Sequence, residues 1–292
     1  MVPEQLLNVA GNVKEMNKTM CPARALIGWM NEEQALLTLA GRRADQQVCP
    51  EHIQRAEQAR KTVASRPAGV DQAHLVGPVP DDLVGHIETL RQHPASAPYF
   101  NEGWRVAIVD LSKVCAAQPC VFTEHADARV VGVDANSIVS LATVSLPIPT
   151  PSVVSAQYNL FNNTWVFSSP NPNLRIVGPI PPGVNGVGFV VAITPSLMQV
   201  ISCRGRYLLR DGYHRAYGFL QRGITKVPAL VREVDTFEGL GLPIGLLPQD
   251  AFLGDRPPML TDYSSDDVSS DIVMPATQKV VIIHALELNT LG

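Results

Sequence analysis

The sequence predicts an α/β (α+β) protein in which a helical N-terminal region precedes a mixed sheet with helices. Apolar residues recur with helical spacing through the first hundred residues, whereas short β-branched runs separated by turn residues begin after Trp104. Residues 199–234 then combine two short strands, a helix and a third strand. The 292 residues are 46% hydrophobic and 17% charged, which is typical of a globular chain with a sizeable core.

Residues 1–98 form the predicted helical region. Pro50 at a first helical turn and Asp81 as an N-cap support two of its helix starts. A Pro/Gly loop over 66–80 separates these two helices. The region carries no recognisable chemistry, and we expect it to cover or gate the domain that comes next in the chain. The helices are predicted over 4–20, 23–43, 50–64 and 81–92.

Residues 99–235 form the predicted α/β domain. Its first strand, 105–111, leads into a short turn, and residues 130–146 fit either a helix or a strand. Arg204-Gly205 forms a hairpin turn between strands 199–203 and 206–210, and Gly223 ends a helix over 213–221. The other elements predicted here are extended segments 164–168 and 174–177, a loop over 179–188, and strands 187–194 and 226–234.

Residues 236–292 form a C-terminal extension with a Gly/Leu/Pro-rich stretch, an acidic loop and a final strand over 279–288. Charge is distributed unevenly in this half of the chain. Residues 204–233 hold seven basic and two acidic residues, a net charge of +5, whereas 250–271 hold six aspartates and one arginine, a net charge of -5. The opposite charges suggest that residues 262–271 fold over the basic hairpin and compete with its ligand.

The sequence Asp211-Gly212-Tyr213-His214-Arg215, at the start of the helix over 213–221, predicts an anion site. A strand that enters a helix through Asp-Gly leaves free backbone N–H groups pointing at a ligand. Gly212 allows a tight turn, and His214 and Arg215 supply donors, with arginine able to hold phosphate oxygens bidentately. Asp211 fits three roles: helix cap, ligand to a divalent metal, or partner that orients His214.

The segment 206–217, followed by Gly-Ile-Thr-Lys-Val-Pro at 223–228, resembles the ParB/sulfiredoxin superfamily. The resemblance covers about 35 residues, with a weaker match at 106–114. It implies a ParB/sulfiredoxin-like mixed sheet in which Gly212, Tyr213, His214 and Arg215 bind the phosphates of CTP, ATP or ADP, with Mg²⁺ held by Asp211. The superfamily contains DNA-binding partition proteins, sulfiredoxins, free-serine kinases and regulators with a DGQHR-type motif, so fold alone does not select a function.

Departures from the family pattern reduce the number of superfamily functions that fit this sequence. Sulfiredoxins carry a catalytic cysteine where this chain has Tyr213, and no helix pair suited to centromere binding follows residue 239. The Asp-Gly-x-His-Arg form is closest to the kinase-like and DGQHR-type members. We therefore expect an NTP hydrolase or small-molecule phosphotransferase, with Asp211, His214 and Glu124 as candidate catalytic residues.

A non-catalytic regulator that binds nucleic acid is the alternative. It would use the basic hairpin, where strict alternation puts Arg204, Arg206 and Arg210 on one face as a polyanion-binding row. A solvated sheet face explains the same pattern. Steep salt dependence of binding would distinguish a polyanion site from a metal–nucleotide site.

The remaining features bear on compartment and metals. The first twenty residues lack the apolar core of a signal peptide and no apolar run is long enough to span a bilayer, so we expect a cytoplasmic protein with no membrane partner. The five cysteines show neither CxxC spacing nor a nearby histidine pattern, which argues against a zinc site and a disulfide framework. The expected ligand is a nucleotide or another phosphorylated small molecule.

Overall fold

The computed structural model describes residues 20–41, 48–150, 153–169, 173–183, 186–242, 245–275 and 280–284. Within these ranges the chain is mixed α/β, with eight α-helices and four sheets. The helices are α1 (Glu32–Leu39), α2 (Pro50–Ser65), α3 (Val84–Gln92), α4 (Ala97–Asn101), α5 (Thr123–Val130), α6 (Ile138–Ser145), α7 (Tyr213–Gln221) and α8 (Gln249–Leu253).

The strands follow the same chain order. They are β1 (Met20–Ala25), β2 (Val76–Gly77), β3 (Arg105–Asp110), β4 (Cys120–Phe122), β5 (Ser155–Asn159), β6 (Thr164–Ser168), β7 (Leu174–Gly183), β8 (Gly186–Ile193), β9 (Gln199–Cys203), β10 (Arg206–Asp211), β11 (Lys226–Val234), β12 (Ser270–Pro275) and β13 (Val280–His284). Short 3-10 turns connect several of these elements.

A five-stranded sheet of order β10-β9-β11-β3-β2 positions the motif. β9 and β10 form an antiparallel hairpin, β11 lies parallel to β9, and β3 lies antiparallel to β11. All five residues of β9 are buried, as expected for a central strand covered on both faces. The helix α7 connects β10 to β11 and therefore begins at the end of the sheet where β10 stops.

The predicted hairpin, helix and strand are confirmed here. Arg204 and Gly205 have φ of 51° and 78°, the left-handed pair that a two-residue hairpin turn requires. The bounds of α7 and β11 coincide with the predicted 213–221 and 226–234. Strand 105–111, strand 164–168 and helices 50–64 and 81–92 are also present, with small shifts at their ends.

Two predicted segments have a different structure. The helix expected over 23–43 begins at Glu32, after Asn31 accepts a hydrogen bond from the Gln34 N–H at 2.8 Å, while Met20–Ala25 forms the central strand of the sheet β12-β1-β4. The loop expected over 179–188 is instead part of the hairpin β7–β8. In both segments, pairing with a neighbouring strand outweighs local preference.

The ambiguous segment 130–146 contains the end of α5, a loop and the helix α6. Ser137 caps α6 by accepting from the Ser140 N–H at 3.2 Å. The helix expected over 4–20 lies outside the described residues apart from Met20, which is in β1. None of the described helices is long and apolar enough to cross a membrane.

The acidic segment contacts the N-terminal region rather than the basic hairpin. Asp266 and Asp271 pair with Arg24 at 2.8 and 3.1 Å, and Asp262 holds Arg66 through two hydrogen bonds of 2.8 and 3.0 Å. The expectation that residues 262–271 cover the hairpin is therefore wrong. Charge alone does not identify the partner, because the pairing of β12 with β1 brings these aspartates to Arg24.

Candidate functional site

The turn that begins α7 depends on the glycine at position 212. Gly212 has φ of 104° and is the N-cap of α7. A Cβ at this position would lie 3.1 Å from Met198 and 3.3 Å from an Arg215 nitrogen, so both conformation and space favour glycine. Asp211, one of whose expected roles is helix cap, is not the cap residue, and no side chain caps the helix.

An open cleft of about 980 Å³ lies in front of this helix start. The motif, Phe122 with α5, and residues within and beside the hairpin β7–β8 form most of its wall, and further residues come from α4, β9, β10 and the segments at Gln118 and Gly241. The motif residues 211–215 all line the cleft. Other residues that line it are Phe122, His125, Arg129, Arg175, Ser196, Gln199 and Arg210.

The charges around the cleft are predominantly positive. Four arginines line it, at positions 129, 175, 210 and 215, and Asp211 is the one carboxylate among the lining residues. The first-turn N–H groups of α7 have no acceptor within the helix, and no capping side chain accepts a hydrogen bond from them. A helix N-terminus also carries a partial positive charge. The arrangement therefore favours an anionic ligand.

Arg215 stabilises the wall of the cleft. Its side chain is only 4% exposed, and its Nη1 donates to the carbonyl oxygens of Val144 and Ser145 at 3.2 Å and to that of Ser196. Its Nη2 donates to the Ser196 hydroxyl at 3.1 Å and lies 3.9 Å from an Asp211 oxygen. Burial lowers the pKa of Arg215 to about 10, and Asp211 partly opposes this effect. The donors expected to hold phosphate are thus bonded within the protein, while the positive charge remains beside the cleft.

His214 presents a neutral imidazole to the cleft. Its ring stacks on Phe122 with 5.9 Å between ring centroids and an interplanar angle of 3°, and His125 lies at 5.9 Å. Burial, followed by the charges of His125, Arg129 and Arg215, lowers the pKa of His214 to about 4. Its Nε2 is buried and has no hydrogen-bond partner among the described residues. A neutral ring can accept or donate one proton, which is the property that acid–base chemistry needs.

Tyr213 is a buried structural residue as well as part of the cleft lining. Its hydroxyl accepts a hydrogen bond from the Ala117 N–H at 2.9 Å and donates to the Leu209 carbonyl. Burial raises the pKa of Tyr213 well above its usual range. Because both contacts lie within the protein, the hydroxyl is engaged in fixing the start of α7 against the segment at Ala117.

The three arginines expected to form a polyanion-binding row have different environments. Arg204 is exposed at the hairpin turn, whereas Arg206 is half-buried and donates to the Gly254 carbonyl at 3.0 Å. Arg210 donates to the Gly241 carbonyl at 3.1 Å and lines the cleft. They do not form one solvent-facing row.

An irregularity in β10 explains why these arginines do not share one solvent-facing side of the strand. The register with β9 shifts between Leu209 and Asp211, so simple alternation fails before Arg210. Leu208, which alternation places on the same face as Arg206 and Arg210, is fully buried. The face that the alternation pattern assigns to solvent is covered by protein.

Glu124 lies in the first turn of α5 and is exposed. It is absent from the lining of the cleft, although its neighbour His125 is present. Among the described residues no group of three or more histidine, cysteine, aspartate or glutamate side chains is suited to hold a metal. A divalent cation at this site would therefore have Asp211 as its protein carboxylate and take its other ligands from phosphate oxygens and water.

Sequence reasoning missed Arg129, Arg175 and Ser196 as cleft residues. They lie 86, 40 and 19 positions before Arg215, and no local motif connects them to it. One signal was available for Arg175, which is the single charged residue between Asp134 and Arg204. No protein-family model, curated protein or solved structure matches this chain.

Proposed function

We propose that this chain binds a nucleotide, or another phosphorylated small molecule, in the cleft at the N-terminus of α7. The observation that carries the proposal is an uncapped helix start with four arginines and one aspartate lining the cleft in front of it. Free N–H groups and positive charge together are the chemistry that phosphate groups require. The resemblance of residues 206–228 to the ParB/sulfiredoxin superfamily supports the same ligand class.

The dimensions of the cleft support a nucleotide more than inorganic phosphate. Its volume of about 980 Å³ suits a ligand much larger than a single phosphate group. Phe122, His125 and His214 provide flat aromatic surfaces on the α5 side of the cleft. CTP, ATP and ADP each combine a polyphosphate with a planar base, so they are the ligands to test first.

Mg²⁺ fits this proposal as a companion of the phosphates. Asp211 is partly exposed in the cleft, and its side chain is the carboxylate that would take one coordination position. Mg²⁺ characteristically uses one or two carboxylates together with phosphate oxygens and water. Its chemical contribution would be neutralisation of phosphate charge.

NTP hydrolysis or phosphoryl transfer is the activity that we propose for this site. We assign proton transfer to His214, because its neutral imidazole lines the cleft and its Nε2 has no hydrogen-bond partner among the described residues. This nitrogen is buried, so the ring must turn toward the cleft when the ligand binds. Asp211 would contribute through the cation. Glu124, exposed and outside the lining, has no contact that supports a catalytic role.

Calorimetric titration with CTP, ATP and ADP, each with Mg²⁺, tests the binding proposal. We expect one of them to bind at roughly micromolar Kd, about -8 kcal/mol. Arg129→Ala removes an exposed cleft arginine and is expected to weaken binding about tenfold through loss of a charge-assisted contact. Arg204→Ala removes another exposed arginine, outside the cleft, and is the matched control.

Two results would count against a nucleotide site. Failure of all three nucleotides to bind would remove the proposed ligand class. Equal losses in Arg129→Ala and Arg204→Ala, together with binding to DNA or RNA that weakens steeply with salt, would indicate the nucleic-acid-binding regulator instead.

A further inference from the structure

The second half of the chain contains a layer of strands that is almost free of charge. It consists of the sheet β13-β6-β5 and the hairpin β7–β8, with β13 in contact with β7. Between Asp134 and Arg204, Arg175 is the single charged residue, although 17% of the whole chain is charged. We call these five strands the uncharged β layer.

Large apolar side chains of the uncharged β layer face solvent. Trp165 stacks between Tyr158 at 4.8 Å and Phe167 at 5.9 Å, and both Tyr158 and Trp165 are 43% exposed. Phe161, at the turn between β5 and β6, is completely exposed, and Phe189 on β8 is 59% exposed. Apolar surface concentrated in this way marks a contact surface for another molecule.

The strand β5 forms an unprotected edge of this layer. All five of its residues are exposed, none is charged, and none is proline. Of the described residues, only those of β6 pair with it. Proteins ordinarily protect such an edge with charge, proline or a bulge, because unpaired N–H and C=O groups recruit another strand.

The edge strands of the two sheets outside this layer show that protection. The edge strand β10 carries Arg206 and Arg210 and has a bulge, and the edge strand β12 carries Asp271 and ends in Pro275. The edge strands β2 and β4 are only two and three residues long. Edge strands without charge are therefore a feature of this layer rather than a general property of the described fold.

We propose that the uncharged β layer is the contact surface between two copies of this chain, with the two β5 strands paired antiparallel. A two-fold contact centred on Gln157 places Gln157 opposite itself and Tyr158 opposite Ala156, so the aromatic faces of the two sheets become continuous. This inference is independent of the cleft and its ligand.

Charge identifies a second copy as the partner. In a two-fold contact each residue approaches its own copy, so any charged residue near the axis meets a like charge. The β5 edge carries no charge and is compatible with itself, whereas a foreign strand selected by electrostatics would require complementary charge here. The whole chain carries a net charge of -4, which disfavours self-association through its other surfaces.

Sedimentation of the full chain with Gln157→Lys tests the proposal. We expect the wild type to form a dimer at micromolar concentration, and Gln157→Lys to weaken the dimer at least tenfold because two ammonium groups meet at the axis. Gln58→Lys adds the same charge on the exposed face of α2 and is expected to leave the dimer unchanged. A monomeric wild type, or a Gln157→Lys dimer as tight as that of the control, would overturn the proposal.

Discussion

His214 links the electrostatics of the cleft to the pH dependence of folding. Burial lowers its pKa to about 4, whereas the imidazole in an unfolded chain takes up its proton near pH 6.5. The unfolded state therefore binds more protons between these values. The stabilisation is fully present above about pH 6.5 and is lost as pH falls toward 4, by about 3 kcal/mol at most.

Urea unfolding between pH 7 and pH 4 measures this dependence. His214→Phe keeps a flat ring against Phe122 and cannot take up a proton, so its free energy of unfolding should fall less steeply with decreasing pH. His74→Asn, which removes an exposed histidine elsewhere, should follow the wild-type curve. Parallel curves for His214→Phe and the wild type would show that burial of this imidazole has no energetic consequence.

The difference between Gly212 and Arg215 shows what sequence reveals at single residues. The Asp-Gly pair predicts a tight turn at Gly212, because glycine relieves a steric restriction that is local to the backbone. The contacts of Arg215 are with the carbonyl oxygens of Val144, Ser145 and Ser196, which are far away in the sequence. Its burial depends on tertiary packing that no five-residue motif encodes.

Among the secondary structure elements, β1 and β12 are held together by Arg24. This side chain is buried at 7% exposure and donates to the Tyr263 carbonyl at 2.7 Å and the Ser269 hydroxyl at 2.9 Å, besides its ion pairs with Asp266 and Asp271. We expect Arg24→Met to lower the free energy of unfolding by about 1.5–3 kcal/mol, because a charged donor of several hydrogen bonds is lost.

Asp266→Asn provides the comparison for Arg24. The Asp266 side chain is 91% exposed, and the other acceptors of Arg24 remain when it is changed. An exposed ion pair contributes about 1 kcal/mol or less, so the loss should be smaller than for Arg24→Met. Equal losses in urea unfolding would assign the stabilisation to the Asp266 ion pair rather than to the buried hydrogen bonds.

The secondary structure predicted from the sequence is correct where the local residue preferences agree with the tertiary packing. The segment from β9 to β11 combines alternating strands, a left-handed turn and a glycine after α7, and each of these signals is local. The strand β1 was not predicted, because its alanines also fit a helix. Its pairing with the neighbouring strands β4 and β12 is what makes this segment a strand. The hairpin β7–β8 contains glycine and proline that ordinarily indicate a loop.

At the scale of the whole molecule, the three predicted regions share one apolar core. Buried residues from Ala23 to Ile272 form a single cluster that includes Leu75, Val109 and Phe219. Residues 1–98 contribute β1 to one sheet and β2 to the five-stranded sheet. Separation of this region would expose both sheets, so we expect the regions to unfold together.

The buried tryptophans allow cooperative unfolding to be measured on either side of the predicted boundary at residue 98. Trp29 packs below a stacked Arg66 guanidinium, and Trp104 lies beside Arg210 and Arg232 at the start of the α/β region. In a Trp165→Phe background, removing Trp104 or Trp29 in turn leaves one buried reporter. Because both rings belong to the same core cluster, their urea transitions should coincide with each other and with the loss of far-ultraviolet circular dichroism. A Trp29 transition at a clearly lower urea concentration would instead establish residues 1–98 as a separately folding domain. Residues that share one core cannot unfold on one side of the boundary while the other side stays native.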